Sequence, residues 1–255
     1  MGRRIFDLSV PLEQAAFAQP VTIHRLNHKE GARQLGQRIG VNPEDFPDGT
    51  LQALETVTAN VHAGTHLDAP WHYGPTCEGS PAKTISEIPL DWCYGDGIVI
   101  DVRHRKAGEA ITIEDLKADL KRINYTIKPG DIVLIRTGAD KYVNQLDYTD
   151  RHPGMSREAT LWLIDQGVKV MGTDGFGFDK PFKVMAEEHK KGVPDALWPS
   201  HMVGREREYL HLEKLANLDR LPRPHGFKVA AFPINIDGAG AGWCRAVAIF
   251  EEGEE

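Results

Sequence analysis

The stretch Asn60-Val61-His62-Ala63-Gly64-Thr65-His66-Leu67-Asp68-Ala69-Pro70-Trp71-His72-Tyr73-Gly74 places three histidines and an aspartate within eleven residues, 62–72. Imidazole nitrogen and carboxylate oxygen are ligands that Zn²⁺, Mn²⁺ and Fe²⁺ accept, and no cysteine draws the stretch toward a closed structural zinc site. Fully extended, residues 62–68 would span about 20 Å, whereas ligands sharing one ion sit about 3 Å from each other on metal bonds of about 2.1 Å. The segment must therefore curl. A helix would align His62 with His66 but turn Asp68 away and soon meet Pro70. The reading is instead a strand over residues 55–61 that delivers His62, then a wrap at Gly64 that closes His66 and Asp68 on the same ion. Pro70 fixes the next turn and presents His72. A free imidazole beside the ion is placed to act as general acid or base. A single loop histidine is ordinarily a solvated side chain; three of them with an aspartate, around Gly, Thr and Pro, outline a metal site.

The run from His62 to His72 resembles the signature of the cyclase family of metal-dependent hydrolases, which includes bacterial kynurenine formamidases and isatin hydrolases. The motif is long and mixed in residue type, and therefore specific. The resemblance implies a swivelling β/β/α fold and directs attention to a second stretch, from Trp198-Pro199-Ser200-His201 to Leu212-Glu213-Lys214-Leu215-Ala216-Asn217. Alone, a histidine followed twelve residues later by a glutamate is weak. Formamidases of the family complete their metal site with such a pair, and His201 and Glu213 occupy the matching positions. By that resemblance His62, His66 and Asp68 hold a first ion, His201 joins a second that Asp68 and Glu213 bridge, and His72 transfers protons. Relatives resembling isatin hydrolases work with one ion, and Trp71 and the Trp198 lead-in lie nearer to that branch. His201 and Glu213 would then orient ligands and substrate. The expected cofactor is a divalent metal, Zn²⁺ or Mn²⁺, as one or two ions.

Outside these stretches, strand-type and helix-type patterns alternate. Strands are expected at residues 5–10, 97–102, 132–136, 168–173, 229–236 and 245–250. A helix at 113–123 has Thr112 as its N-cap; another at 156–166 is capped by Ser156 and ended by Gly167. Residues 25–39 can form a helix within an otherwise irregular polar stretch reaching to about residue 50, and 79–89 reads as a loop with a short helix. The alternation predicts an α/β fold: a mixed, partly parallel sheet flanked by helices on its faces, with residues 1–255 as one domain. His24 and His28 read as surface residues, and His211 as structural, although it shares the parity of Glu213. Asp174 and Asp179 divide evenly between turn carboxylates and pocket groups. The glycine-rich connection 237–243 lacks the phosphate-binding patterns and reads as a substrate-facing loop. Phe17, Trp71 and Trp243 are the candidates to stack an aromatic substrate.

The chain has 255 residues, 41% hydrophobic and 26% charged, with a net charge of −7. This is ordinary soluble composition, and the negative balance argues against a nucleic-acid or membrane-surface partner. Cys77, Cys93 and Cys244 form no CxxC pair, which fits a reducing cytoplasm; Cys93 and Cys244 read as buried hydrophobes and Cys77 as exposed. The start carries no signal-peptide pattern and there is no apolar run of membrane-spanning length. The function expected is hydrolysis of a carbon–nitrogen amide bond in a small aromatic substrate, a linear formyl-anilide or a cyclic amide. Metal-dependent cyclisation or dehydration, and a non-catalytic metal-binding protein, are the alternatives. Family analogy adds a homodimer or homotetramer.

Overall fold

Strands and helices follow one another along the chain as the hydrophobic pattern requires. The computed structural model describes residues 2–12 and 19–251, so the expectation placed on Phe17 lies outside the described residues. The first strands are β1 (Arg3–Asp7), β2 (Val21–Leu26), β3 (Leu54–Ala59), β4 (His66–Asp68), β5 (Thr76–Cys77) and β6 (Ser80–Pro81). Then come β7 (Tyr94–Asp101), β8 (Ala110–Ile111), β9 (Ile132–Arg136), β10 (Gly154–Met155), β11 (Val170–Thr173), β12 (Leu210–Glu213), β13 (Phe227–Ala230), β14 (Ala241–Trp243) and β15 (Val247–Glu251). The helices are α1 (His28–Ile39), α2 (Pro70–Tyr73), α3 (Ile113–Arg122), α4 (Arg157–Asp165), α5 (Phe182–Lys190) and α6 (Pro199–Val203).

Nine strands form one sheet in the order β1-β15-β13-β7-β9-β11-β12-β4-β14. The middle four, β7, β9, β11 and β12, run parallel, and the flanking pairs are antiparallel. Successive side chains point to opposite faces. Ile98, Ile100, Val133, Ile135 and Met171 therefore pack with Leu116 and Leu120 of α3 and Leu163 of α4. Val99, Ile132, Leu134, Val170 and Leu212 point the other way, into a second cluster with Leu67 of β4 and Ala248 and Phe250 of β15. Because β4 and β15 lie near opposite ends of the strand order, the sheet must curl to bring them together. That cluster contains no residue of α1–α6. The mixed α/β fold, with a partly parallel sheet flanked by helices, is as expected: α3 and α4 pack on one face, and the curl of the sheet and loops close the other.

Several local expectations also change. Residues 21–24, expected to be irregular, and 25–26, expected to open the helix at 25–39, form β2, which pairs antiparallel with β3 in a ribbon separate from the large sheet. The strand leading to His62 thus exists, ending at Ala59, but belongs to this ribbon. Residues 79–89 hold no helix; a 3₁₀ turn follows at Leu90–Cys93. Pro233 interrupts the strand expected at 229–236 after Ala230. Cys77 is buried, as are Cys93 and Cys244. Among the described residues no helix is long and apolar enough to cross a membrane.

Candidate metal centre

The wrap at Gly64 is built from local hydrogen bonds. Ala63 N donates to Asn60 O at 2.9 Å and His62 N to Asn60 Oδ1 at 2.9 Å. Gly64 then takes φ +68°, in the left-handed region that favours glycine. Thr65 ties the turn to the strand beyond it, its hydroxyl donating to Lys214 O at 2.6 Å. His66 Nδ1 donates to Gly64 O at 2.8 Å, which leaves the Nε2 lone pair facing the centre. The outcome is a tight triangle. His62 Nδ1 lies 2.9 Å from Asp68 Oδ1 and 3.2 Å from His66 Nε2, and His66 Nε2 lies 3.2 Å from Asp68 Oδ1.

Strand pairing supplies the second half. In the β4–β12 register His211 faces Asp68, Leu212 faces Leu67 and Glu213 faces His66. Alternation sends Leu67 and Leu212 into the core and puts His66, Asp68, His211 and Glu213 together on the other face. His211 Nε2 lies 3.0 Å from Asp68 Oδ2 and 3.4 Å from Glu213 Oε1. Phe178 N donates to Glu213 Oε1 at 2.9 Å, and the Phe178 ring stacks on His211 at 4.6 Å. His201 arrives on α6, where Asp179 accepts from Ser200 N at 2.7 Å, from His201 N at 3.2 Å and from His201 Nδ1 at 2.5 Å. That carboxylate fixes both the helix and the ring, so His201 Nε2 is free for the centre. Trp198, in the left-handed conformation at φ 51°, caps α6 and stacks on His201.

Electrostatics show what this cluster lacks. Both oxygens of Asp68, and Nε2 of His211, are buried without a hydrogen-bond partner among the described residues. The 3.0 Å approach of His211 Nε2 to Asp68 Oδ2 is a close contact of poor hydrogen-bond geometry. Tyr209 donates its hydroxyl hydrogen to Ser200 O and Tyr73 to Asp68 O, so His211 Nδ1 donates to those hydroxyls while Nε2 faces Asp68 and Glu213. Burial alone would make His211 harder to protonate, but Asp68 and Glu213 raise it to about 9. Burial likewise pushes Asp68 up, yet His66, His211 and His62 hold it well below the carboxylate range. The site demands positive charge, and neutral imidazoles with ionised carboxylates are the donor set that a divalent cation takes. Asp68, His201, His211 and Glu213 can close on one ion, and His62, Asp68 and His72 form a second such group.

His72, on α2, has Nε2 3.8 Å from Asp68 Oδ2 and its ring 4.1 Å from that of His62. Burial lowers it to about 4 against the pull of Asp68, with His62 and His201 adding to the effect, so the ring is neutral near pH 7. A cavity of about 340 Å³ opens on the cluster at His62, His72, His201 and Glu213. Phe176, Phe178, Phe182 and Trp198 give it an aromatic wall. Trp71 is 46% exposed, and Trp243 sits opposite His66 on edge strand β14; neither lines the cavity among the described residues. Asp174 accepts from Thr137 N, Thr137 Oγ1 and Gly138 N, a turn carboxylate away from the centre. Asp179 is both a helix cap and a site group.

Three groups escaped the sequence reading. His211 belongs to the cluster rather than to structure alone, and its parity with Glu213 was the signal. Lys214, 1% exposed, has its ammonium 3.1 Å from His62 O, 3.4 Å from Glu213 Oε2 and 4.4 Å from the Phe176 ring centroid. The aromatic wall lay partly in Gly175-Phe176-Gly177-Phe178, where only the aspartates drew attention.

Fold and cluster together define an α/β protein with a buried histidine–carboxylate centre able to hold a metal ion. The profile of the family described as putative cyclase matches residues 6–180. A kynurenine formamidase of Erythrobacter litoralis is 30% identical over 200 residues, 78% of each chain. An isatin hydrolase of Roseibium aggregatum is 25% identical over 211 residues, 79% of this chain and 76% of that one. Among solved structures, isatin hydrolase A of Ralstonia solanacearum superposes with a TM-score of 0.76 at 24% identity, covering 98% of this chain and 92% of that one. The chain belongs to the cyclase family.

Proposed function

We propose that this protein is a metal-dependent hydrolase of the carbon–nitrogen amide bond in a small aromatic substrate, either a formyl-anilide or a cyclic amide. The observation that carries the reading is the convergence of the half-buried His62 and the buried His66, Asp68, His201, His211 and Glu213 at a cavity with four aromatic rings in its lining. The similarity to a kynurenine formamidase and an isatin hydrolase supports it. His62, His66 and Asp68 would hold a first ion; His201, His211 and Glu213, together with Asp68, would hold a second if two are bound. When bound, a divalent cation such as Zn²⁺ or Mn²⁺ polarises the amide carbonyl and makes water acidic enough to supply hydroxide near pH 7.

The protein supplies the rest. His72 Nε2, neutral and at the edge of the cluster, takes the proton from the attacking water and delivers it to the departing nitrogen. Asp179 keeps His201 oriented, and the Lys214 ammonium offsets the charge of Glu213. Phe176, Phe178, Phe182 and Trp198 hold the substrate ring and exclude water. Trp71 and Trp243, outside the lining, would be outer contacts for a substrate larger than the cavity. The test is acid release from a panel of N-formyl-anilides and cyclic aryl amides, with chelated protein and with added Mn²⁺ or Zn²⁺. Metal-dependent release from at least one amide is expected; no release from any amide with either ion contradicts the proposal.

A further inference from the structure

The cavity wall holds a polar atom that the metal centre leaves unused. His152, just before β10, is 1% exposed, and its ring lines the cavity. Its Nδ1 lies 3.1 Å from Pro153 O, so Nδ1 carries the hydrogen and Nε2 keeps a lone pair. Nε2 is buried and has no hydrogen-bond partner among the described residues. Burial makes the ring hard to protonate, against the opposing pull of the Pro153 and Thr149 carbonyls and of Glu213.

The ring also stands close to the chemistry. A Cβ placed on Gly177 would lie 3.8 Å from His152 Cε1 and 3.8 Å from Glu213 Oε1, so the edge next to Nε2 and a carboxylate of the centre flank the same point. Gln19 Oε1, in the same lining, is a second buried oxygen without a partner among the described residues. Native proteins seldom leave buried acceptors unpaired, because an orphan loses its bonds to water for nothing. An acceptor without a hydrogen-bond partner among the described residues, in a cavity that also presents the rings of Phe176, Phe178, Phe182 and Trp198, is complementary to an aromatic molecule that carries an N–H.

We propose that His152 Nε2 accepts a hydrogen bond from a nitrogen-borne hydrogen on the aromatic substrate, either the amide N–H or the aryl amine it becomes. His152 is then a specificity-determining residue that selects anilides over esters of the same shape. The inference rests on the reading of the cavity as the substrate site, and its test needs no turnover. Metal-replete protein is titrated calorimetrically with 2-aminobenzoate and with benzoate, which differ by one amino group. The wild type should bind 2-aminobenzoate about tenfold more tightly. His152→Phe should abolish that preference, and His152→Gln, which still offers an acceptor, should keep part of it. Equal affinity of the wild type for the two probes, or an undiminished preference in His152→Phe, overturns the proposal. If His152→Phe does not fold, the wild type and His152→Gln decide. Failure here with intact amide hydrolysis removes only this role; absent hydrolysis removes the function reading instead.

Discussion

Asp68 faces His62 and His66 through one oxygen and His211 and His72 through the other, so the residues around it separate by what each loss removes. His66→Ala deletes a ring locked by its bond to Gly64 O and should abolish both metal content and activity. His72→Ala should leave metal content intact and lower kcat by roughly 10²- to 10⁴-fold, the usual worth of a positioned acid–base group. A His72→Ala enzyme with full kcat would remove its proposed role. Asp179→Asn leaves the α6 backbone bonded but weakens the grip on His201 Nδ1, and should cost roughly 10- to 100-fold in metal affinity or activity. At this scale the sequence was informative where ligands are close together. The turn from His62 to Asp68 could be inferred from reach alone, because only a curled chain brings those groups together. His201 and Glu213 needed family resemblance, since strand register and an aspartate at 179 place them, and neither is visible in local spacing.

At the scale of elements, the centre depends on β4 and β12 presenting alternate residues to opposite faces. Leu67, fully buried between His66 and Asp68, anchors that alternation in the core. Leu67→Ala should destabilise the protein by about 2–5 kcal/mol, as large-to-small core changes do, measured by urea denaturation of chelated protein. The helix α3 gives a second, pH-dependent test. Burial pushes Asp115 up, but bonds from Thr112 N, His104 and Arg105 outweigh it and hold the carboxyl at about 2. A depressed carboxyl stabilises the fold above its unfolded pKa and loses that effect as pH falls from about 4 toward 2. The stability gap between wild type and Asp115→Asn should therefore be full at pH 6 and shrink at pH 3; a constant gap would show that ionisation of Asp115 is not its source.

The same comparison explains what could be read from the pattern. α3 and α4 were legible because Thr112 and Ser156 are caps before strong apolar stripes. β9 and β11 were legible as short apolar runs. β2 and its pairing with β3 were not, since the ribbon's burial is slight and pairing across residues 27–53 is a tertiary event. α6 was hidden because Asp179, twenty residues upstream, caps it in place of any local side chain. The curl that leaves one sheet face without helices depends on strand order, which no single segment encodes.

For the whole molecule, the ribbon and α1 leave Leu54, Val57, Ile39 and Val41 exposed, beside a centre built elsewhere. Exposed apolar side chains can be buried by self-association, so the homodimer or homotetramer expected from the family should appear in light scattering. Val57→Glu, on that exposed surface, should shift it toward monomer without changing metal content; a wild-type monomer at all concentrations would remove this expectation.

The proposed chemistry needs a divalent cation gripped through Asp68. Elemental analysis of the wild type and of Asp68→Asn, purified side by side without chelator, tests it most directly. One or two equivalents of a divalent metal per wild-type chain and a near-complete loss in Asp68→Asn are predicted; a wild type that binds none, or an Asp68→Asn protein that keeps its full complement, would contradict it.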